Sequence, residues 1–317
     1  MPDPTESMIH IDAALSDIAV AYKPDPSLYI ADQVFPIVEV SKQSDYYYIW
    51  TKGFWLRNAV EKRAPGDLYP RGRLELSSTT YYCDIYHLAY SIPDEHRDQE
   101  DPAVQLEITG AEWLASQFAM NREVNLATTI FAASWATNVT GGTDFTQWSD
   151  YDDSNPLTDI NTGINTIQQS TGQRANTLII GKQVADQLVE HPLLLDKFKY
   201  TGGGILEYEE LRKALRIEKL LVGESVYDDA NEGATASGGY IWGKNALLLH
   251  VPSKPGLRVA AAGYTFVWKL RNAGGYTISI ENYRDGLTDT DLLKGKHAFD
   301  HKIVGTDLGY YLASAVA

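Results

Sequence analysis

One serine in the sequence resembles a catalytic nucleophile. Ser225 lies in the stretch Gly223-Glu224-Ser225-Val226-Tyr227, which follows the strand-like segment EKLLVG. In a G-x-S-x-G turn between a strand and a helix, the serine hydroxyl is exposed for attack on a carbonyl carbon. Here Tyr227 stands where the second glycine belongs, so the motif is incomplete. An α/β hydrolase that uses the Ser225 region is therefore an alternative rather than the leading hypothesis.

Two glycine-containing stretches resemble phosphate-binding loops in part. Gly181-Lys182 follows a short apolar strand, as in a P-loop, but Asn176 replaces the first glycine of that motif and Gln183 replaces its serine or threonine. The glycines at 202–204 precede a helix pattern but lack the lysine and the spacing of a dinucleotide-binding loop. We interpret this second stretch as a flexible turn and predict no cofactor-binding residues.

Aspartate and histidine residues occur at spacings that could hold a metal ion, but both sets are incomplete. Asp150, Asp152 and Asp153 resemble the start of a calcium loop, yet the EF-hand glycine at position six and glutamate at position twelve are missing. His297 and His301 are four residues apart, whereas the flanking pattern predicts strand and turn and offers no third ligand. The sequence therefore predicts no metal site, no catalytic residues and no enzyme activity.

The longest predicted element is a helix over residues 98–133. Asp101 could cap its N-terminus and Pro102 suits the first helical position. Its apolar residues form two stripes at helical spacing, with Trp113 and Ala115 on roughly opposite sides, so we expect burial on two faces. The helix would be either the core helix of an ordinary α/β protein or a spine with sheets on both sides. The spacing alone does not distinguish these alternatives.

Residues 46–92 are rich in strand formers on either side of a basic, turn-rich segment. The stretches YYYIWTKGFWL and LELSSTTYYCDIYHLAYSI predict strands, and Pro65-Gly66 and Pro70 lie between them. This pattern predicts a long two-stranded ribbon, which is marginally stable alone and needs a surface to lie on, such as another subunit. The candidate inter-subunit contacts are the basic residues of its tip: Arg57, Lys62, Arg63, Arg71 and Arg73.

The rest of the chain divides into an arm and an α/β unit. Residues 1–45 are interrupted by five prolines, so this segment should pack along other parts of the molecule rather than build its own core. Residues 157–223 alternate helix and strand. The first helix of this unit should begin with Asn155 as its cap and Pro156 just inside, and should end at Gly172. After this unit the pattern turns to strands.

The net charge of −15 is unevenly distributed. Residues 1–160 carry 10 basic and 25 acidic side chains, while residues 161–317 carry 17 of each. This charge distribution argues against a sequence-specific nucleic-acid-binding protein, which requires a basic stripe. It does not argue against a protein that faces DNA without binding it. The single cysteine, Cys83, excludes a disulfide within the chain. The sequence shows neither an apolar run of about 18–20 residues nor a basic secretory leader, and folding in a reducing cytoplasm fits.

Taken in order, these segments resemble tailed-bacteriophage major capsid proteins from about residue 45 to the end of the chain. The stretches that carry the resemblance include RAPGDLYPRGRLELSSTTYYCDIYHLAYSIPDEHRDQEDP, the long helix with NREVNLATTIF, GQRANTLIIGKQVADQLVEHPLLLDKFKYTGGG, LRIEKLLVGESVYDDANEG, and GGYIWGKNALLLHVP followed by YTFVWK. The resemblance implies an α+β fold, the capsid fold shared by tailed phages, encapsulins and herpesvirus shell proteins.

The resemblance also implies a division of the chain into five segments. Residues 1–45 would be the N-terminal arm, 46–92 the extended loop and 93–150 the part of the peripheral domain that holds the spine helix. Residues 151–270 would form the axial domain at the capsomer centre. Residues 271–317 would return to the peripheral domain as strands.

The implied function is self-assembly, as hexamers and pentamers, into the icosahedral shell that encloses the genome of a tailed double-stranded DNA phage. An encapsulin-like compartment for protein cargo is the alternative within this fold. The implied partners are other copies of the chain, with scaffolding, portal and decoration proteins; packaged DNA would be enclosed without specific binding, and no membrane is involved. The implied location is the virion, after assembly in the host bacterial cytoplasm. Some members cross-link through lysine and asparagine, but no local motif identifies such a pair here.

Overall fold

The computed structural model describes residues 25–317 except 51, 61, 63, 67, 70, 72–74, 100–104, 199–206, 229, 231–232, 234, 236, 257–258 and 270–278. The helices in this part are α1 (Ala31–Val34), α2 (Lys52–Leu56), α3 (Asp94–Asp98), α4 (Leu106–Ala132), α5 (Pro156–Thr171), α6 (Lys182–Glu190), α7 (Pro192–Phe198) and α8 (Tyr208–Ala214). The strands are β1 (Ile37–Val40), β2 (Ser44–Trp50), β3 (Leu76–Tyr82), β4 (Asp84–Pro93), β5 (Thr137–Thr140), β6 (Thr177–Gly181), β7 (Lys219–Gly223), β8 (Val226–Asp228), β9 (Gly238–Tyr240), β10 (Ala246–Leu249), β11 (Gly263–Trp268), β12 (Ser279–Asp285), β13 (Thr290–Ile303) and β14 (Gly309–Ala313).

One five-stranded sheet forms the α/β unit, in the order β5-β14-β10-β6-β7. Strand β6 is buried along its whole length, which agrees with its continuous apolar sequence. Helix α5 begins as predicted, because the Asn155 side chain accepts a hydrogen bond from the Thr158 N–H at 3.2 Å and Pro156 is the first helical residue. The helix ends at Gly172, whose φ of +72° is the left-handed conformation that glycine adopts without strain.

A second five-stranded sheet has the order β1-β11-β13-β12, with β4 also paired to β13. Helix α4 packs across this sheet, and two glycines allow the close approach. A Cβ atom on Gly110 of the helix would collide with the Tyr90 ring, and one on Gly295 of β13 would collide with the Phe118 ring. The cost of about 1 kcal/mol that glycine imposes on a helix interior is therefore offset by packing against β4 and β13.

The start of α4 differs from the prediction. The helix begins at Leu106, and the preceding Gln105 has φ 45° and ψ 67°, a left-handed conformation that cannot continue a right-handed helix. The predicted cap Asp101 and first-turn Pro102 lie outside the described residues. The 27 helical residues nevertheless span about 40 Å at 1.5 Å per residue.

The expected burial of α4 on two faces holds only for its C-terminal half. There Leu126, Ala127 and Ile130 enter the main hydrophobic core, and Val124 and Phe131, further round the helix, pack against it. The N-terminal half buries one face in a smaller core, formed by Ile92, Leu114, Phe118 and Leu293. On the rest of its surface Ile108 is 58% exposed and Trp113 is 42% exposed, so the expected burial on two faces is wrong for this half of the helix.

The described part of the arm, residues 25–45, packs on other elements as its composition predicts. Its buried apolar residues are Ile30, Ala31, Val34 and Phe35, all of which belong to the main core. Strand β1 then pairs in parallel with β11. Among the described helices, none is long and apolar enough to cross a membrane.

Candidate functional site

Strands β2 and β3 form the predicted antiparallel ribbon, with Tyr47 opposite Thr79 at its middle. The second long strand pattern is split at Cys83: β3 stays in the ribbon, whereas β4 joins β13 in the five-stranded sheet. One face of the ribbon rests on β11, where the Tyr81 ring stacks on the Phe266 ring at 4.6 Å between centroids. The opposite face exposes the large side chains of Tyr46, Tyr48, Leu76 and Tyr82. The ribbon therefore presents an aromatic surface that the described part of the chain leaves exposed.

The ribbon tip carries the candidate contact residues. Arg57, Lys62 and Arg71 are exposed, while Arg63 and Arg73 lie outside the described residues. The same tip exposes large apolar side chains, which the sequence reasoning passed over: Trp55, Leu56, Val60, Leu68 and Tyr69. Exposed apolar area surrounded by charged residues is typical of a protein–protein contact surface. We refer to the basic and apolar side chains named in this paragraph as the ribbon tip.

A buried carboxylate joins three parts of the chain. Glu123 of α4 is fully buried, and its two oxygens accept hydrogen bonds from the backbone N–H groups of Ile30 at 3.0 Å and Ala31 at 2.7 Å. They also accept from the Ser225 hydroxyl at 3.2 Å and the Trp242 indole N–H at 2.5 Å. Burial raises the pKa of Glu123, while these four hydrogen bonds oppose that shift by favouring the charged form. The carboxylate thus holds the arm and the α/β unit against the long helix.

Sequence reasoning did not single out Glu123, although a signal was present. Glu123 lies three residues after Met120 and four before Ala127, so it sits within an apolar stripe of the helix. A glutamate in a stripe that is otherwise buried must find partners or lose stability. That reasoning could have identified Glu123 as a buried group, but not its partners, which come from distant parts of the chain.

The surroundings of Ser225 do not support a nucleophilic role. Its side chain is buried, and its hydroxyl donates to the Glu123 carboxylate rather than to a histidine ring. One hollow on the described surface is lined by other residues, among them Asp186, Glu190 and Tyr208. A serine nucleophile needs an adjacent general base, whereas the Ser225 hydroxyl donates to a carboxylate that also binds backbone N–H groups.

His297 and His301 both lie within β13, so they are on a strand and not on a helix. The His301 ring nitrogen Nδ1 is 3.0 Å from the Thr265 hydroxyl, and the His297 ring packs edge-on against Phe118. Burial, assisted by the nearby charge of Arg122, lowers the pKa of His297 to about 3 and that of His301 to about 4. Within the described ranges no group of three or more His, Cys, Asp or Glu residues could hold a metal ion.

The remaining sequence candidates have structural partners. Asp150 Oδ1 lies 3.3 Å from the Asp152 N–H, in a turn that leads into α5. Lys182, the lysine of the partial P-loop, bonds to the Tyr208 hydroxyl at 2.8 Å and to the Asp186 and Glu224 carboxylates at 3.0 and 3.2 Å. A lysine already held by two carboxylates is poorly placed to bind phosphate. The glycines at 202–204 lie outside the described residues.

Comparison with known proteins confirms the fold that the sequence resemblance implies. No protein-family model matches the chain. The major capsid protein of Burkholderia phage BcepMu is 25% identical over 309 residues, covering 96% of each protein. A phage-related protein from Bordetella bronchiseptica has a TM-score of 0.68 at 21% identity, with 91% of this chain and 93% of that chain covered. The capsid of cyanophage P-SCSP1u gives a TM-score of 0.62 at 13% identity, with 93% and 90% covered. The chain therefore has the α+β fold of phage capsid proteins.

Proposed function

From this capsid-protein fold, we propose that the chain is the major capsid protein of a tailed double-stranded DNA phage and that its copies assemble into the head shell. The observation that carries the proposal is the similarity to a phage major capsid protein along almost the whole length of both chains. The structure adds two features of a subunit that functions among copies of itself: an uncovered aromatic ribbon face and a basic, apolar ribbon tip. We further propose that the copies form hexamers and pentamers.

The domain division implied by the resemblance is part of this proposal. The arm is residues 1–45, the extended loop 46–92, the axial domain 151–270, and the peripheral domain consists of 93–150 with 271–317. Strand pairing crosses these bounds: β1, β4 and β11, from the arm, the extended loop and the axial segment, share a sheet with β12 and β13. Conversely, β5 and β14 of the peripheral segments join the sheet of the α/β unit. We also propose that the subunit is not an enzyme, which the buried and engaged state of Ser225 supports.

The ribbon tip is proposed to dock on a neighbouring subunit through Arg57, Lys62, Arg63, Arg71 and Arg73. Each exposed ion pair should contribute only about 0–1 kcal/mol to docking. The stability of the assembly therefore depends on the repetition of the contact in many copies and on burial of the apolar side chains of the tip. Deleting residues 60–70 should leave a folded subunit that assembles poorly, measured by circular dichroism and by sedimentation of particles. Normal shells of normal stability from the deletion variant would contradict this docking role.

The proposed function also implies partners other than copies of the chain. Portal, decoration and separate scaffolding proteins would contact the shell, and DNA would be enclosed without specific binding. The chain would be located in the virion after assembly in the host bacterial cytoplasm. The acidic excess of residues 1–160 supports a surface that does not grip DNA.

Electron microscopy of the purified chain tests the function. Closed shells are expected, and native particles should contain double-stranded DNA. Shells that hold protein cargo instead would favour an encapsulin-like compartment. A stable monomer with hydrolase activity that Ser225→Ala abolishes would overturn the proposal in favour of an enzyme.

A further inference from the structure

The short helix α2, which follows the first strand of the ribbon, rests on another part of its own chain. Lys52, its first residue, forms an ion pair with Asp307, with 2.6 Å between Nζ and the carboxylate. Leu56, its last residue, lies against the end of α5: a Cβ atom built on Gly172 would be 3.4 Å from the Leu56 Cδ2 methyl, an ordinary contact distance. Lys52 and Leu56 are four residues apart in the sequence, so both contacts use one face of the helix.

Both contacts of α2 are made with the α/β unit. Gly172 ends α5, and Asp307 lies in the 3-10 turn Thr306–Leu308, which leads from β13 into β14 of the α/β sheet. This turn packs on α5. Helix α2 is therefore held at a single site of the α/β unit rather than at two unrelated points.

The strands of the ribbon have a separate support, on β11 of the other five-stranded sheet. The rings of Tyr81 and Tyr47 pack on the Phe266 ring, with 4.6 and 5.5 Å between centroids. Beyond this support the strand pairing continues to Trp50 opposite Leu76, and α2 begins two residues after Trp50. A two-stranded ribbon is marginally stable alone, so a ribbon supported only at Phe266 could rotate about that contact. The second support, at α2, fixes the direction in which the chain leaves the paired strands.

The contact of α2 leaves the docking surface of the ribbon tip uncovered. Val60 and Leu68, which follow α2 in the chain, are 87% and 92% exposed while α2 rests on the α/β unit. A contact that prevented docking would cover these side chains, whereas this contact orients them and leaves them accessible. A segment that is oriented before it binds loses less conformational entropy on binding, which favours association.

We propose that Lys52 and Asp307 are positioning residues for assembly: by holding α2 on the α/β unit of the same chain, they orient the ribbon tip before it meets a neighbouring subunit. The proposal rests on the proposed function and adds a step that takes place within the free subunit. Lys52 and Asp307 are 49% and 37% exposed, and an exposed ion pair contributes little to global stability. Their effect is therefore expected in assembly and not in the folding of the subunit.

Charge reversal tests the role of the pair in assembly. Lys52→Asp places two carboxylates together and should raise the subunit concentration needed for particle formation by about two- to fivefold, the range that an exposed ion pair spans in an equilibrium constant. The exchange variant Lys52→Asp/Asp307→Lys keeps both charges in the opposite order and should restore the unaltered threshold. Light scattering and sedimentation measure the threshold, and the melting temperature of the unassembled subunit should be the same in all these chains.

The matched control is Glu39→Gln. It removes one charge from the Lys269–Glu39 ion pair, whose side chains are 54% and 50% exposed beside β1 and β11. This pair is as exposed as Lys52–Asp307 but does not hold α2, so its loss should leave the assembly threshold unchanged.

A distance measurement tests the orientation of the tip without any assembly. Spin labels attached to Val60→Cys in the ribbon tip and to Asn165→Cys, an exposed position on α5, report the distance between tip and α/β unit by pulsed electron paramagnetic resonance. The native Cys83 is fully buried and should not be labelled. The unassembled subunit should give a narrow distance distribution, which Lys52→Asp broadens and the exchange variant makes narrow again.

A raised threshold and a broadened distribution in Lys52→Asp, both reversed by the exchange variant, support the proposal. An unchanged or lowered threshold, a distribution that the reversal does not broaden, or a defect that the exchange leaves in place overturns it and leaves the shell function intact. Failure of the unaltered chain to form particles would instead overturn the shell function, and the positioning role in assembly with it.

Discussion

The buried Glu123 carboxylate offers a sharp test of what holds the subunit together. Replacing it by glutamine keeps the shape of the side chain but changes what the site can accept. The amide oxygen can still accept from Trp242 and Ser225, whereas the amide N–H₂ group would face the backbone N–H groups of Ile30 and Ala31. Donors would then oppose donors in a buried site.

The expected magnitude follows from those contacts. A buried donor without an acceptor costs about 1–3 kcal/mol. In Glu123→Gln the Ala31 N–H is left in that state, and the Ile30 N–H keeps only its 3.2 Å contact with Oε1. We therefore expect the free energy of unfolding to fall by about 3 kcal/mol, and by more in Glu123→Ala, which removes the acceptor from all four donors. Glu107→Gln is the control on the same helix; its side chain is 57% exposed, so the change should stay within about 1 kcal/mol.

Urea unfolding of the unassembled subunit, followed by tryptophan fluorescence, measures these differences. Hydrogen exchange should also be faster at the Ala31 amide in Glu123→Gln, because its acceptor is lost, and to a smaller extent at the Ile30 amide, which keeps only the contact with Oε1. A loss below about 1 kcal/mol, equal to that of Glu107→Gln, together with unchanged exchange, would refute the reasoning that this carboxylate fastens the arm.

Three further predictions concern the helix, the histidines and DNA. Trp113→Ala should cost the isolated subunit clearly less than the 3–5 kcal/mol of a fully buried ring, since Trp113 is 42% exposed, and calorimetry of the unassembled variant checks this. His297 has its pKa lowered to about 3 in the folded chain, against about 6.5 when unfolded. The folded state therefore binds fewer protons, so stability is complete above pH 6.5 and falls by about 1.4 kcal/mol per pH unit as the pH drops toward 3. His297→Phe, which keeps an aromatic ring beside Phe118, should show a shallower loss of melting temperature between pH 7 and 4.5, and an equal slope would contradict the assignment. Unassembled subunits should bind duplex DNA weakly or not at all even at low salt, where attraction is strongest; tight, salt-sensitive binding in a titration would reveal a basic face that the charge distribution does not predict.

Local signals made the α/β unit predictable. The start of α5 at Asn155-Pro156, its end at Gly172 and the buried strand β6 each depend on residues close together in the sequence. The start of α4 was missed because the left-handed conformation of Gln105 has no signature in residue type. The exposure of Trp113 was missed because apolar periodicity predicts that a helix face is buried but does not identify the element that packs on it.

The ribbon tip and the buried carboxylate both depend on tertiary structure that the sequence alone does not predict. The basic residues of the tip could be identified from composition. The apolar side chains beside them have the types expected in strands and turns, and only the structure shows that they are exposed. Glu123 depends on Ile30, Ser225 and Trp242, which are 93, 102 and 119 residues away. Contacts over such separations are set by the fold, and one sequence without its relatives carries no trace of them.

Strand β13 has a mechanical consequence for the subunit. It pairs with β4 over ten residue pairs, from Thr290 opposite Pro93 to Phe299 opposite Asp84, and with β12 over seven. Because the hydrogen bonds of an antiparallel pair run perpendicular to the strands, a pull along β13 strains all of them at once in shear. A force perpendicular to the strands would instead break these hydrogen bonds one after another. The axis of β13 is therefore the direction in which these strand pairs best resist tension.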